Sequence, residues 1–204
     1  MKLTLAIAVA IAMFYACDAD ALKDRQMFSK KDFKYDISAS SVSTAPEGVE
    51  IRSVLGAQFR PLQGLGIGMA LFRFPPCAIN PLHVHPRSSE LITVTKGNNL
   101  RVGFAEENGG RVIINKLKEG QFTVFPQGLI HFQFNDSCEE ATFVSAQSSE
   151  DPGVQSFPAR LLDFPNTVLT AAFGLSNQDV NELKNEFGSR GRQVQCLKRC
   201  GLQA

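Results

Sequence analysis

The sequence predicts an all-β fold, a sandwich or barrel of short antiparallel strands, extended at its C-terminus by helices. Three observations predict it. Between about Ile51 and Ser149, short apolar runs alternate with turn residues at close spacing. Beyond residue 160 the apolar period changes from two to three and four. The 204 residues suffice for one core with trimmings at its ends, and 44% hydrophobic with 20% charged residues is the composition of a chain that folds.

Residues 1–21 read as a signal peptide. Lys2 is followed by an uncharged run, Leu3 to Cys17 ("LTLAIAVAIAMFYAC"), and then by Ala19-Asp20-Ala21, the small-residue pattern that precedes cleavage. The run is shorter than the ~18–20 apolar residues of a membrane span. The expectation is secretion to an extracellular location, a matrix or cell wall, as a mature chain beginning near Leu22. Cleavage takes Lys2, Asp18 and Asp20 from 21 basic and 20 acidic residues, leaving 20 and 18, a net charge near +2. That balance argues against nucleic-acid or anionic-membrane partners. Four cysteines remain, Cys77, Cys138, Cys196 and Cys200, and an oxidising compartment makes disulfides the default.

Residues 22–50 form an N-terminal extension in which Ser38 to Pro46 ("SASSVSTAP") reads as an extended linker. The β domain is expected over residues 51–160. Within it Asn108-Gly109-Gly110 joins "LRVGFAEE" to "RVIINKL" as a hairpin, because Asn and Gly accept the positive φ that tight turns require. Pro126-Gln127-Gly128 separates "FTVF" from "LIHFQFN", where Ile130, Phe132 and Phe134 alternate with His131, Gln133 and Asn135. Residues 161–190 carry two helices, Asn166 to Phe173 and Asn177 to Phe187. Ser176 is the N-cap of the second, Asp179 its capping-box partner and Gly188 its stop. Val180, Leu183 and Phe187 give that helix an apolar face, expected to be buried between subunits. Residues 191–204 are a basic tail containing Cys196 and Cys200.

The chain has three histidines, and "NPLHVHPRSSE" contains two of them. His83 and His85, two apart on a strand, project to one face while Leu82 and Val84 point away. Pro86 to Ser89 turn the chain, so that Glu90 begins the next strand, with Ile92 and Val94 on its face. His131, beyond the Pro-Gln-Gly turn, approaches from a neighbouring strand. Three imidazoles and a carboxylate suit a divalent metal. With manganese or iron they leave two octahedral positions for water, a dioxygen species or substrate, whereas zinc favours a closed tetrahedral set.

These motifs carry a family resemblance. "HVHPRSSELITVTKG" resembles the first cupin motif, and "GQFTVFPQGLIHFQFN" is similar to the second at Gly120, Pro126, Gly128, His131 and Asn135. "NPLHVHPR", "PQGLIHFQFN" and "LTAAFGL" look more narrowly like germins, germin-like proteins and the related spherulins, from about Gly64 to Phe187. The resemblance implies a cupin jelly-roll β-barrel that binds Mn2+ through His83, His85, Glu90 and His131. It also implies homo-oligomers, ring-like hexamers of clasped dimers joined by C-terminal helices. Family members include oxalate oxidases, superoxide dismutases and proteins without established activity. Two departures stand out: Cys77 replaces the usual Gly at the start of the first motif, and the N-terminal cysteine pair of plant germins is missing.

In oxalate-oxidising germins asparagines hold the substrate. One matches Asn80, but the other corresponds to Ala70, which cannot hydrogen-bond a carboxylate. The resemblance therefore favours superoxide dismutation over oxalate oxidation, with superoxide or a small molecule at the metal and Gln133 or Asn135 orienting a water. A non-catalytic matrix or storage protein is the alternative from a different class. Asn135-Asp136-Ser137 is a formal glycosylation sequon, but Asn135 belongs to the cupin motif, where the resemblance implies a structural role.

The jelly roll also yields a register expectation. If the His83 and His131 strands pair antiparallel with His131 opposite Val84, Cys77 and Cys138 lie seven residues along and opposite one another, positioned for a disulfide. Cys196 and Cys200 would then pair with each other or with a neighbouring subunit. A bulge, or a bend at Pro75-Pro76, breaks that register and leaves free or differently paired thiols.

Overall fold

Alternation of buried and exposed side chains organises the molecule into two facing antiparallel sheets. The structure is a computed structural model that describes residues 26–44, 48–187 and 194–203; the expected signal peptide and Gly188 lie outside the described residues. In chain order the strands are β1 (Ser43–Thr44), β2 (Glu50–Val54), β3 (Gly68–Phe74), β4 (Ile79–Val84), β5 (Glu90–Lys96), β6 (Leu100–Ala105), β7 (Val112–Leu117), β8 (Phe122–Phe125), β9 (His131–Asn135), β10 (Ala141–Gln147) and β11 (Gln155–Ser156). The helices that follow are α1 (Phe157–Leu162), α2 (Asn166–Phe173), α3 (Asn177–Phe187) and α4 (Val194–Arg199). One sheet has the order β1-β2-β3-β10-β5-β8 and the other β11-β4-β9-β6-β7. This is the jelly-roll arrangement the sequence implied, with helices at the C-terminus.

The period-two pattern explains the core. In β3 Ala70, Phe72 and Phe74 are buried while Met69 and Arg73 are exposed, and in β5 Glu90, Ile92 and Val94 are buried while Leu91 is exposed. Phe72 stacks on Phe143 of β10 at 4.5 Å, and Phe74 meets the same ring edge-on at 5.2 Å. The inward face of β10 changes character along its length. Ala141 and Phe143 join the apolar core, whereas Ser145 and Gln147, on the same face and also buried, are polar. Apolar packing thus fills one end of the sandwich and leaves the other for chemistry.

Turn chemistry fits the sequence at the β6–β7 hairpin. Leu100 pairs with Leu117 and Ala105 with Val112, and Gly109 in the connection has φ +90°. Beyond the pairs, Arg111 forks onto Glu106 and holds that carboxyl at about 2 by hydrogen bonding. The two expected helices occupy the expected residues, and Ser176 and Asp179 make the reciprocal capping box, each backbone N–H bonded to the other side chain at 3.1 Å. Val180 is buried within its own chain and Leu183 is 44% exposed. The described part of the linker, residues 38–44, is more ordered than its composition suggested. Asp36 caps a 3-10 turn at Ile37–Ala39 by accepting from the Ser38 N–H, and β1 pairs with the edge of β2. No helix among the described residues is long and apolar enough to cross a membrane.

The cysteine pairing differs from the register expectation. Cys77 is bonded to Cys196, and Cys138 to Cys200, with Cα separations of 5.6 and 5.3 Å. On the β4–β9 ladder Ile79 faces Phe134 and Asn80 faces Gln133, then an irregularity intervenes and His83, not Val84, faces His131. Carried back along the strand, that register sets Cys77 against Asp136 rather than Cys138. Cys77 also lies outside the ladder, in the turn that Pro75 and Ala78 close, with φ +64°. That left-handed conformation is one glycine adopts without strain, which agrees with the glycine that the resemblance implied for this position. The tail cysteines therefore pair with the β domain instead of with each other, and α4 docks Leu197 beside Phe134.

Non-reducing peptide mapping is expected to recover Cys77–Cys196 and Cys138–Cys200 peptides. The former closes a loop of sequence separation 119. Cys196→Ala is expected to lower unfolding stability by about 2–5 kcal/mol, measured by denaturant titration.

Candidate metal centre

Four side chains converge where the polar end of the sandwich closes. His83 lies in β4, His85 one residue beyond it, and His131 opens β9, all from one sheet; Glu90 opens β5 in the other. Pro86 to Ser89 carry the chain across, so Glu90 faces the imidazoles rather than lying beside them. The four residues are 1–7% exposed, and one ligand atom from each lies within 4.8 Å of the others. The structure therefore brings together all four residues named from the sequence as candidate ligands.

Each imidazole is fixed by its outer nitrogen. Nδ1 of His83 bonds the Pro81 carbonyl at 2.7 Å, Nδ1 of His85 the Gly153 carbonyl at 2.6 Å, and Nδ1 of His131 the Leu129 carbonyl at 2.8 Å. A carbonyl oxygen only accepts, so each Nδ1 carries a proton and Nε2 is the atom turned inward, with a lone pair to offer a metal ion when the ring is neutral. Those lone pairs meet an anion: Glu90 Oε2 lies 3.2 Å from His131 Nε2 and 3.5 Å from His85 Nε2. Lone pair facing carboxylate is repulsive unless a cation sits between them. The donor set thus fits a divalent metal, with outer hydrogen bonds of the kind that orient metal-bound histidine.

Electrostatics agree with that fit. Burial, reinforced by the neighbouring His131, pushes the His83 imidazole down to about 3, which keeps its inward lone pair unprotonated. Burial alone would raise the Glu90 carboxyl, but the facing His131 and His85 rings and the Ser145 hydroxyl outweigh it and hold the group well below the usual carboxylate range. For His85 burial acts downward, and the Glu90 carboxylate outweighs it, so the imidazole is raised.

Around this centre the structure sorts the remaining candidates. Asn80 Nδ2 donates to Gln133 Oε1 at 2.8 Å and lies 3.5 Å from His83 Nε2, so both amides adjoin the site. Gln133 is fully buried and its Nε2 has no partner. Asn135 does not join them. Its Nδ2 is shared among the carbonyls of Phe74, Pro75 and Glu139, and its Oδ1 accepts from Ser137, so it ties the strand ends together and is buried as a sequon.

Three participants were not named from the sequence. Ser145 Oγ donates to Glu90 Oε1, and Gln147 Nε2 donates to Ser145 Oγ at 3.1 Å. Their signal was present: polar side chains at inward positions of the alternating run "ATFVSAQ". Gly153, φ +65°, supplies the carbonyl for His85, and a Cβ there would fall 2.8 Å from the Arg87 guanidinium. A cavity of about 110 Å³ opens beside His83 and His85, walled by Ile51, Leu55, Ala70, Phe72 and Val154, with Ser53, Asn80 and Gln147 as its polar members. Phe125 stacks flat on His131 at 4.5 Å from its own position at the end of β8.

Comparison with known proteins agrees with this geometry. A family model described as Cupin matches residues 35–181. Spherulin-1B of Physarum polycephalum is 34% identical over 185 residues, covering 89% of this chain and 72% of that protein. A probable germin-like protein of subfamily 2 (member 5) from Arabidopsis thaliana is 35% identical over 176 residues, covering 82% and 79%. Among solved structures, an oxalate oxidase superposes with a TM-score of 0.73 at 30% identity, covering 79% of this chain and 84% of that one.

A pH dependence follows for protein stripped of metal by a chelator. His83 has a folded value near 3 against 6.5 unfolded, so below 6.5 the unfolded chain binds the proton that the folded chain refuses. Glu90, also depressed, contributes stability that is present above its unfolded value of 4.5 and lost as pH falls further. His85 has the opposite sign and partly offsets them. Thermal melting of the stripped protein is expected to decline as pH is lowered from about 6.5 toward 3, and Glu90→Gln is expected to flatten the lower part of that decline.

Proposed function

From the premise that this chain belongs to the cupin family as a germin-like member, we propose that it is a secreted manganese protein whose redox activity is superoxide dismutation. The observation that carries the metal reading is the ring of three Nδ1–carbonyl bonds, which turns three lone pairs toward one buried carboxylate. When bound, manganese supplies a one-electron couple through which two superoxide ions and two protons become dioxygen and hydrogen peroxide. The chain's own residues do the rest. The four ligands hold the ion, the cavity beside His83 and His85 admits a small molecule, and Asn80 with the unpartnered Gln133 N–H orients a water or oxygen species.

A second reading, oxalate oxidation, is favoured by the structural similarity to an oxalate oxidase. Ala70 opposes it. It lines the cavity, and a methyl group offers a carboxylate no hydrogen bond. Secretion is supported by the apolar run at residues 3–17 and by two disulfides, which persist in oxidising compartments. The proposed partner is a second copy of this chain in a ring-like homo-oligomer. Met69, Leu91 and Val124 are 46–50% exposed on the outward face of the first sheet, where Leu91 faces Val124 and both Met69 and Leu91 face Ala146.

Protein purified from secreting cells is expected to carry about one manganese per chain by elemental analysis, to dismutate superoxide, and to release little hydrogen peroxide from oxalate. His131→Ala is expected to lose both metal and dismutation. Wild-type protein that stays metal-free with manganese, iron and zinc supplied would refute the metal reading, and enzymatic oxalate turnover would reverse the preference. Native mass measurement tests the assembly, for which a monomer is the refuting result.

A further inference from the structure

One residue of the cavity wall, Gln147, carries a polar atom whose chemistry is fixed by the site itself. Ser145 has one hydroxyl proton and gives it to the Glu90 carboxylate. Its oxygen can then only accept from Gln147, so the Gln147 amide must present its NH2 group to Ser145, and this settles which end of the amide is which. The carbonyl end, Oε1, is left buried with no donor, on a residue that is 6% exposed and lines the cavity. An acceptor in that position favours a ligand that brings a proton and penalises one that brings an oxygen anion.

The rest of the wall limits the ligand further. Ile51, Leu55, Ala70, Phe72 and Val154 present aliphatic and aromatic surface, and about 110 Å³ is room for about three or four water-sized groups. Resting on the metal reading above, we propose that Gln147 is a specificity-determining residue that selects short aliphatic 2-hydroxycarboxylates. The carboxylate goes to the metal, the hydroxyl donates to Gln147 Oε1, and the alkyl group lies against the apolar wall. Oxalate, without a proton to donate or an apolar arm, is disfavoured by the same surface.

The test measures binding, by calorimetry and by the manganese electron paramagnetic resonance signal, of lactate, propionate and oxalate to manganese-loaded protein. Each affinity ratio is referred to the ratio the same anions show for aqueous manganese. Lactate is expected to gain about tenfold over both propionate and oxalate on wild-type protein, and Gln147→Met is expected to erase the gain over propionate. If wild-type protein shows no gain, or if a Gln147→Met protein that retains its metal keeps the whole gain, the inference is overturned. Should the variant shed its metal through Ser145, the wild-type oxalate comparison alone decides. A wild-type protein that takes up no manganese overturns the metal reading and this inference together, whereas loaded protein with unshifted ratios overturns this inference only.

Discussion

Three carbonyl oxygens decide the chemistry of this molecule. Those of Pro81, Leu129 and Gly153 each take the Nδ1 proton of one histidine, and the inner nitrogens are thereby committed to act as donors of electron pairs. Opposite them stands Glu90, 1% exposed, whose nearest basic groups are the same His85 and His131 rings. A buried carboxylate without a cation is costly, by several kcal/mol even after relaxation. Much of the surrounding structure serves this arrangement. The two sheets supply opposite sides of the centre, the turn at residues 86–89 spans them, and the Gly128 N–H bonds the His85 carbonyl to seat the second loop. Two of the three carbonyls lie two residues before the histidine they hold, so the same local strand geometry is used twice.

How much of this could be read in advance depended on whether the signal was local. His-x-His on a strand and the β6–β7 turn chemistry are local, as is the Ser176–Asp179 capping box, and each is present where the sequence placed it. Pairing between distant segments is not local. His131 faces His83 rather than Val84, the irregularity between Asn80 and His83 shifts the register by one residue more, and together the two displace the inferred cysteine partner. Ser145 and Gln147 were legible in principle, because polar residues on the inward face of an otherwise apolar strand require an explanation. Gly153 was less so. Pro152-Gly153 marks a turn in any chain, and only the folded structure shows that its carbonyl orients His85.

The tail illustrates the same limit from the side of stability. Residues 194–203 are short of apolar mass, and a helix of the length of α4 does not hold alone in water. Two disulfides and the buried Leu197 fasten it beside the turn that precedes β4, and Arg199 adds an ion pair to Asp136 at 2.7 Å. Cys77 occupies the left-handed position at that turn, where its side chain serves as the anchor for the bond to Cys196. The strand carrying His83 is thus held at one end by the tail and at the other by the metal ligands.

The cavity separates what the metal does from what the wall does. Four ligands set the electronic properties of any bound ion, and they are the part of the site that the motifs reveal. Discrimination among small molecules falls to the residues around them, of which Ala70 removes a donor and Gln147 adds an unpaired acceptor. Ala70 faces Ser145 across the β3–β10 ladder, and Gln147 faces Glu90 across β10–β5, so the wall and the metal ligand share one hydrogen-bonded sheet. A substitution at Gln147 therefore reaches Glu90 through Ser145, and ligand preference and metal affinity are physically coupled rather than independent.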